Sequence, residues 1–188
     1  MLEFLEKRSS HHAIEMLKDD HKKVKALFKE FEHTDNQKEK IKIASKACLE
    51  LKLHSAVEEG IFYPAVRAEI NDDNLMNEAD EEHHEAKVLI AELESMDGTE
   101  SHYNAKFHVL SENILHHVRE EEDEMLPKAE GTKLDFETLG EKMTALKEKL
   151  KENGFPEEGE ARMVAASHGR GDSPAAHSHK KVSVSHKS

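Results

Sequence analysis

Two segments of this chain follow one plan. LKLHSAVEEGIFYP carries His54 and Glu58, and ENILHHVREEEDEMLP carries His117 and Glu121. The steps from His54 to His117, from Glu58 to Glu121 and from Pro64 to Pro127 are each 63 residues. DHKKVKALFKEFE, with His21, is echoed by EHHEAKVLIAELE, with His83, at a step of 62, and Lys25 and Lys87 each stand four residues further on. The chain therefore reads as two similar helical hairpins. Four-residue spacing places each His and its Glu one turn apart on the same helix face, where both can hold one object.

The helical reading comes from periodicity. Ile14, Leu17, Val24, Phe28 and Phe31 recur at three- and four-residue steps from Ser10, a candidate cap, to about His33. A second run, from about Gln37 to Ala68, passes through Ile43, Ala47, Leu51, Ile61 and Ala65, and Gly60 and Pro64 predict a kink near its end. A turn cluster at Asn71, Asp72, Asp73 and Asn74 precedes a third stripe through Met76, Ala79, Ala86, Ile90 and Leu93, which ends at Asp97-Gly98. Thr99 or Ser101 is the expected cap of a fourth helix through Phe107, Leu110, Ile114 and Met125 to Pro127. Gly131 separates it from a shorter amphipathic segment between about Asp135 and Asn153. The predicted fold is all-α: four helices with an appended fifth over residues 1–153, and a disordered tail over 154–188, where periodicity gives way to Ser, Ala, Gly, His and Lys.

The 15 His residues acquire meaning from their positions. Counting in threes and fours, His21 falls between Leu17 and Val24, His54 between Leu51 and Ile61, His83 between Ala79 and Ala86, and His117 beside Ile114 and Glu121. All four face the apolar stripe. His84 shares its row with Asp80, Glu81 and Lys87, and His116 with Glu112, Arg119 and Glu120, so these two are expected in solvent.

A single buried His–Glu pair is most simply a structural hydrogen bond. Two symmetric pairs plus two more inward imidazoles argue instead for metal, because unpaired ionised carboxylates in an apolar interior cost many kcal/mol. Six ligands exceed the need of one ion, whereas two ions sharing two bridging carboxylates use all six and retain open positions. Bundles build such centres from inward side chains on facing helices. Mixed imidazole and carboxylate ligation suits iron, manganese or zinc better than calcium or magnesium, and the nitrogen content favours iron.

The order His, HxxxE, His, HxxxE, with a proline after each HxxxE, resembles the hemerythrin-like (HHE cation-binding) domain family over roughly Ser10 to Lys128. The resemblance implies an up-down four-helix bundle and a non-haem di-iron centre, two iron ions per chain, bridged by carboxylates and by an oxo or hydroxo group or dioxygen. Its ligands would be His21, His54, Glu58, His83, His117 and Glu121. Oxygen-carrying members have HxxxH in the third helix and HxxxxD in the fourth. Here Lys87 stands four after His83, and Glu121 four after His117, so the chain looks like the bacterial branch with two Glu bridges.

Three functional classes follow. The first is a binding protein for dioxygen, peroxide or nitric oxide, serving oxygen, iron or nitric oxide sensing, storage or stress handling. The second is a di-iron enzyme that reduces peroxide or oxidises ferrous iron. The third is a metal-free structural bundle. The net charge of −13 repels nucleic acid and anionic lipid. With no run of about 18 apolar residues, no signal-like apolar segment and only Cys48, the expectation is a cytoplasmic protein without membrane contact or internal disulfide. The tail segment GRGDSP, Gly169 to Pro174, matches an integrin-recognised peptide, with a chance match the simpler reading. His168, His177, His179 and His186 offer at most loose chelation.

Overall fold

The computed structural model describes residues 12–155, which form helices throughout, with no strand among them. The expected tail, with GRGDSP and its four His, and the expected cap Ser10 lie outside the described residues. Helix α1 spans Ala13–His33. Next come α2, Gln37–Val57, a π-helical turn π1, Glu58–Phe62, and α3, Tyr63–Arg67, which together make one rod. Helix α4, Asp73–Glu94, is followed by a second composite rod of α5, Tyr103–Glu120, π2, Glu121–Met125, and α6, Leu126–Glu130. Helix α7, Phe136–Asn153, is the appended fifth helix and packs on α1, α2 and π1.

Caps set most of the boundaries. Asn36, Asp72 and Asp135 accept from backbone N–H groups of the first turns of α2, α4 and α7, satisfying donors that a helix start leaves free. The fourth rod departs from expectation. Thr99 turns back on Asp97, and α5 starts at Tyr103 behind His102, whose side chain makes no cap bond. Gly98 closes α4 at φ 84°, and a Cβ there would stand 2.4 Å from the Ile41 side chain, so this corner requires glycine.

The kink expected at Gly60 and Pro64 is a π-turn, and it occurs twice. Each begins at the Glu of an HxxxE pair, and the Tyr63 and Leu126 N–H groups bond to the Glu58 and Glu121 carbonyls five residues back. Pro64 and Pro127 follow directly. A proline lacks an N–H and its ring crowds the carbonyl four residues back, so a widened turn ahead of it relieves that clash. Such turns recur at functional sites.

The core is split along the bundle axis. One apolar cluster gathers Val24, Phe28, Phe31, Ala47, Leu51, Ile90, Phe107 and Leu110, and the other Ile14, Leu17, Phe62, Val66, Met76, Met125, Leu126 and Met143. Along every rod the inward His and Glu fall between the residues of the two clusters. They form a polar layer walled by hydrocarbon on both sides.

Candidate metal centre

Six polar side chains fill that layer. His21 and Glu58 are fully buried, and Glu121, His83, His117 and His54 are 2–5% exposed. His84 and His116 are exposed. Each Glu reaches one imidazole on its own rod and one on the facing hairpin helix. Glu58 Oε2 lies 3.0 Å from His54 Nε2 and 3.2 Å from His83 Nε2. Glu121 Oε2 lies 3.1 Å from His21 Nε2 and 3.9 Å from His117 Nε2.

The four imidazoles are oriented from behind. His21 Nδ1 lies 2.9 Å from Glu122 Oε1, His54 Nδ1 3.3 Å from Asp20 Oδ2, His83 Nδ1 2.9 Å from Glu59 Oε1, and His117 Nδ1 2.7 Å from Glu82 Oε2. An ionised carboxylate only accepts, so each Nδ1–H donates and each Nε2 points into the layer. This carboxylate-backed imidazole is the usual arrangement of a metal-binding His. Lys25 backs Glu122, Lys147 backs Asp20 and Lys87 backs Glu59.

His83 Nε2 and His117 Nε2 lie 3.2 Å apart, but among the described residues much of the inner face lacks hydrogen-bond partners. His21 Nε2, His54 Nε2, both Glu58 oxygens and Glu121 Oε2 are buried with none, although nitrogens and oxygens stand about 3 Å apart. These contacts are Coulombic, off the axis along which a ring N–H donates. Leaving five such atoms unmatched is costly unless a cation lies among them. Two overlapping ligand sets exist, with donor atoms in each within 4.8 Å of one another: His21, His54, Glu58 and Glu121, then Glu58, His83 and His117. Glu58 belongs to both. Six inner and outer carboxylates face three lysines, an excess of negative charge that attracts cations.

Without metal, protons provide part of the compensation. Burial disfavours the charged His54 ring, but the Glu58 carboxylate outweighs it and its pKa rises to about 10. His83 is likewise opposed by burial yet raised to about 9 by the Glu58 and Glu59 carboxylates beside it. Glu58 is held well below the usual carboxylate range, because His54 and His83 outweigh its desolvation. Burial pushes Asp20 up, and His54 and Lys147 bring it below its ordinary value.

Spacing alone did not point to the outer carboxylates, nor to Tyr63. Asp20 and Glu82 stand one residue before His21 and His83, and Glu59 and Glu122 one after Glu58 and Glu121, so the same 62- and 63-residue steps relate them. That repetition was the available signal. Tyr63 is buried, with its hydroxyl 3.3 Å from Glu121 Oε1 and 3.2 Å from His83 Nε2, and burial followed by the Glu121 and Glu58 charges pushes its pKa well above the ordinary value. Its counterpart in the second hairpin is Leu126, so the repeat hides it. Cys48 is a packed thiol, pushed up to about 12 by burial.

Comparison with known proteins agrees with this geometry. The family described as "Hemerythrin HHE cation binding domain" matches residues 12–129. A solved hemerythrin HHE cation binding domain-containing protein from Mycobacterium kansasii superposes with a TM-score of 0.64 at 26% identity, covering 82% of this chain and 98% of that one. A DNA nickase from Nostoc sp. is 24% identical over 108 residues, 57% of this chain, which spans only 30% of that relative's length. The residues that converge in the polar layer, and a family match over more than half of the sequence, lead to one conclusion: the chain belongs to the hemerythrin HHE cation binding domain family, and its bundle is a metal-binding domain.

Proposed function

We propose that this protein holds two iron ions in the polar layer, with His21, His54, Glu58, His83, His117 and Glu121 as ligands, and binds dioxygen or a related small ligand such as peroxide or nitric oxide there. The observation that carries this reading is the set of five buried, unpartnered nitrogen and oxygen atoms facing one another, on imidazoles already backed by carboxylates. Glu58 lies between imidazoles of two rods and belongs to both ligand sets, which would suit bridging, while Glu121, nearer His21 than His117, would complete the first set. Bound there, a pair of iron ions would supply redox change and open coordination positions. The chain's own part is to present Nε2 lone pairs, to neutralise the ions with carboxylates, and to exclude water with the two apolar clusters.

The nitrogen-rich donor set favours iron over harder ions. A working location in the cytoplasm belongs to the same proposal, and no helix among the described residues is long and apolar enough to cross a membrane. The nicking activity named for the Nostoc relative is not carried over, because less than a third of that protein is matched and this chain's charge of −13 opposes a polyanion.

An enzymatic second reading, peroxide reduction or ferrous oxidation, is favoured by Tyr63, a phenol whose hydroxyl reaches both Glu121 and His83. Metal analysis with absorption spectra before and after exposure to air tests the main reading. Two irons per chain with an air-dependent spectrum are expected, and a single zinc contradicts it. Sustained turnover with peroxide or ferrous iron selects the enzyme.

A further inference from the structure

The two ligand sets are not surrounded alike. The 62-residue repeat equates Asp20 with Glu82, and each backs the HxxxE imidazole of its own hairpin, His54 and His117 respectively. What stands behind these two carboxylates differs. Asp20 is met by Lys147, which comes from α7, beyond the repeat and beyond the family match, and both side chains are under 20% exposed. Among the described residues, the charged group behind Glu82 on its side away from His117 is His116, at 3.7 Å, and that side chain is 57% exposed.

Helix α7 also makes its main contacts with one half. It packs on α1, α2 and π1, which carry His21, His54 and Glu58, and Leu146 would stand 3.5 Å from a Cβ at Gly60. The other half faces an open surface cleft lined by Glu59, Tyr63, Lys87 and His84, next to His83. The covered half offers four donors and the cleft-side half three.

We infer that the two metal positions are inequivalent, and that Lys147 is a positioning residue which, through Asp20 and His54, keeps the covered position closed while the cleft-side position exchanges freely. Lys147 holds Asp20 in place, and Asp20 fixes the ring orientation of His54, so its effect is confined to the position that His54 serves. The appended helix thereby becomes part of the metal centre. This rests on the two-ion reading proposed above.

The test is extraction of ferrous iron from the fully loaded, full-length protein under anaerobic conditions, with a coloured ferrous chelator. Wild type is expected to release its iron in two phases of equal amplitude, and His117→Ala to lose the fast phase. Lys147→Met should accelerate the slow phase by about tenfold or more, the scale typical of losing such an outer partner, and leave the fast phase unchanged. Lys147→Arg should restore the slow phase. Circular dichroism of the metal-free Lys147→Met protein checks its fold; if it does not fold, Asp20→Asn makes the same measurement on the partner side. Release of both ions in one phase, or a slow phase unaltered in the folded variant, overturns the inference. A chain that loads no iron or one ion refutes the two-ion reading instead.

Discussion

Asp20 and His54 meet across the α1–α2 interface, carboxylate Oδ2 to ring Nδ1 at 3.3 Å, although Asp20 is the sequence neighbour of a different inward imidazole, His21. The same cross-wiring holds at Glu82, which precedes His83 and serves His117, and at Glu59 and Glu122, which follow the inner Glu residues and serve His83 and His21. Each rod thus supplies an inner donor to the layer and an outer carboxylate to a neighbour. The packing of the rods and the aim of the imidazoles are one arrangement.

Removing an outer carboxylate therefore has a metal phenotype without removing a ligand. Asp20→Ala and Glu82→Ala are expected to weaken iron binding by about 10–100-fold, measured by competition with a chelator. His84→Ala and His116→Ala should leave iron content unchanged, since His84 is exposed and the contacts of His116 are surface ones worth little.

The two inner carboxylates are not equal. Glu58 belongs to both ligand sets, whereas Glu121 belongs to one. Glu58→Ala should abolish tight binding of both ions, and Glu121→Ala should leave one ion per chain, as counted by metal analysis after desalting.

Metal uptake should release protons. In the metal-free protein His54, with a pKa of about 10, and His83, about 9, are charged at neutral pH, and a metal ion must displace a proton from each Nε2. Apparent affinity should climb with pH by roughly two decades per pH unit below 9 from these two groups and level off above 10. Iron titrations in weakly buffered solution with a pH indicator would read the protons directly.

Stability of the metal-free protein should move the opposite way. The folded pKa values of both imidazoles lie above the ordinary 6.5, so their stabilising effect is full below about pH 6.5 and is lost as pH rises through 9 and 10. The loss should amount to several kcal/mol, seen as a falling midpoint in denaturant melts. Iron-loaded protein, whose imidazoles carry no such proton, should not show this decline over the same range.

The inner layer was legible in the sequence because the apolar rows and the ligand rows are the same rows: His21 between Leu17 and Val24, or His83 between Ala79 and Ala86, can only face the core if the helix does. Solvent exposure of His84 and His116 followed from the same count. The outer carboxylates were less legible, since Asp20 and Glu59 bind imidazoles of other rods and their local spacing carries no sign of it. Lys147 reaches Asp20 from 127 residues away, on a helix outside the repeat. The π-turns were half legible: Gly60 and Pro64 marked a break in the second rod, but Pro127 alone did not announce the same geometry in the fourth. The start of α5 was misplaced because Thr99 has a competing local partner in Asp97, whose carboxylate draws its hydroxyl away from any cap.

The central claim, two ions shared by six side chains between two apolar clusters, is tested most directly by anomalous diffraction at the iron edge from crystals of the iron-loaded protein. Two peaks are expected within the polar layer, one beside His21 and His54 and one beside His83 and His117, with Glu58 reaching both. A layer without an anomalous peak, in crystals of protein shown to contain iron, would contradict the account and leave the six side chains as a proton-balanced structural network.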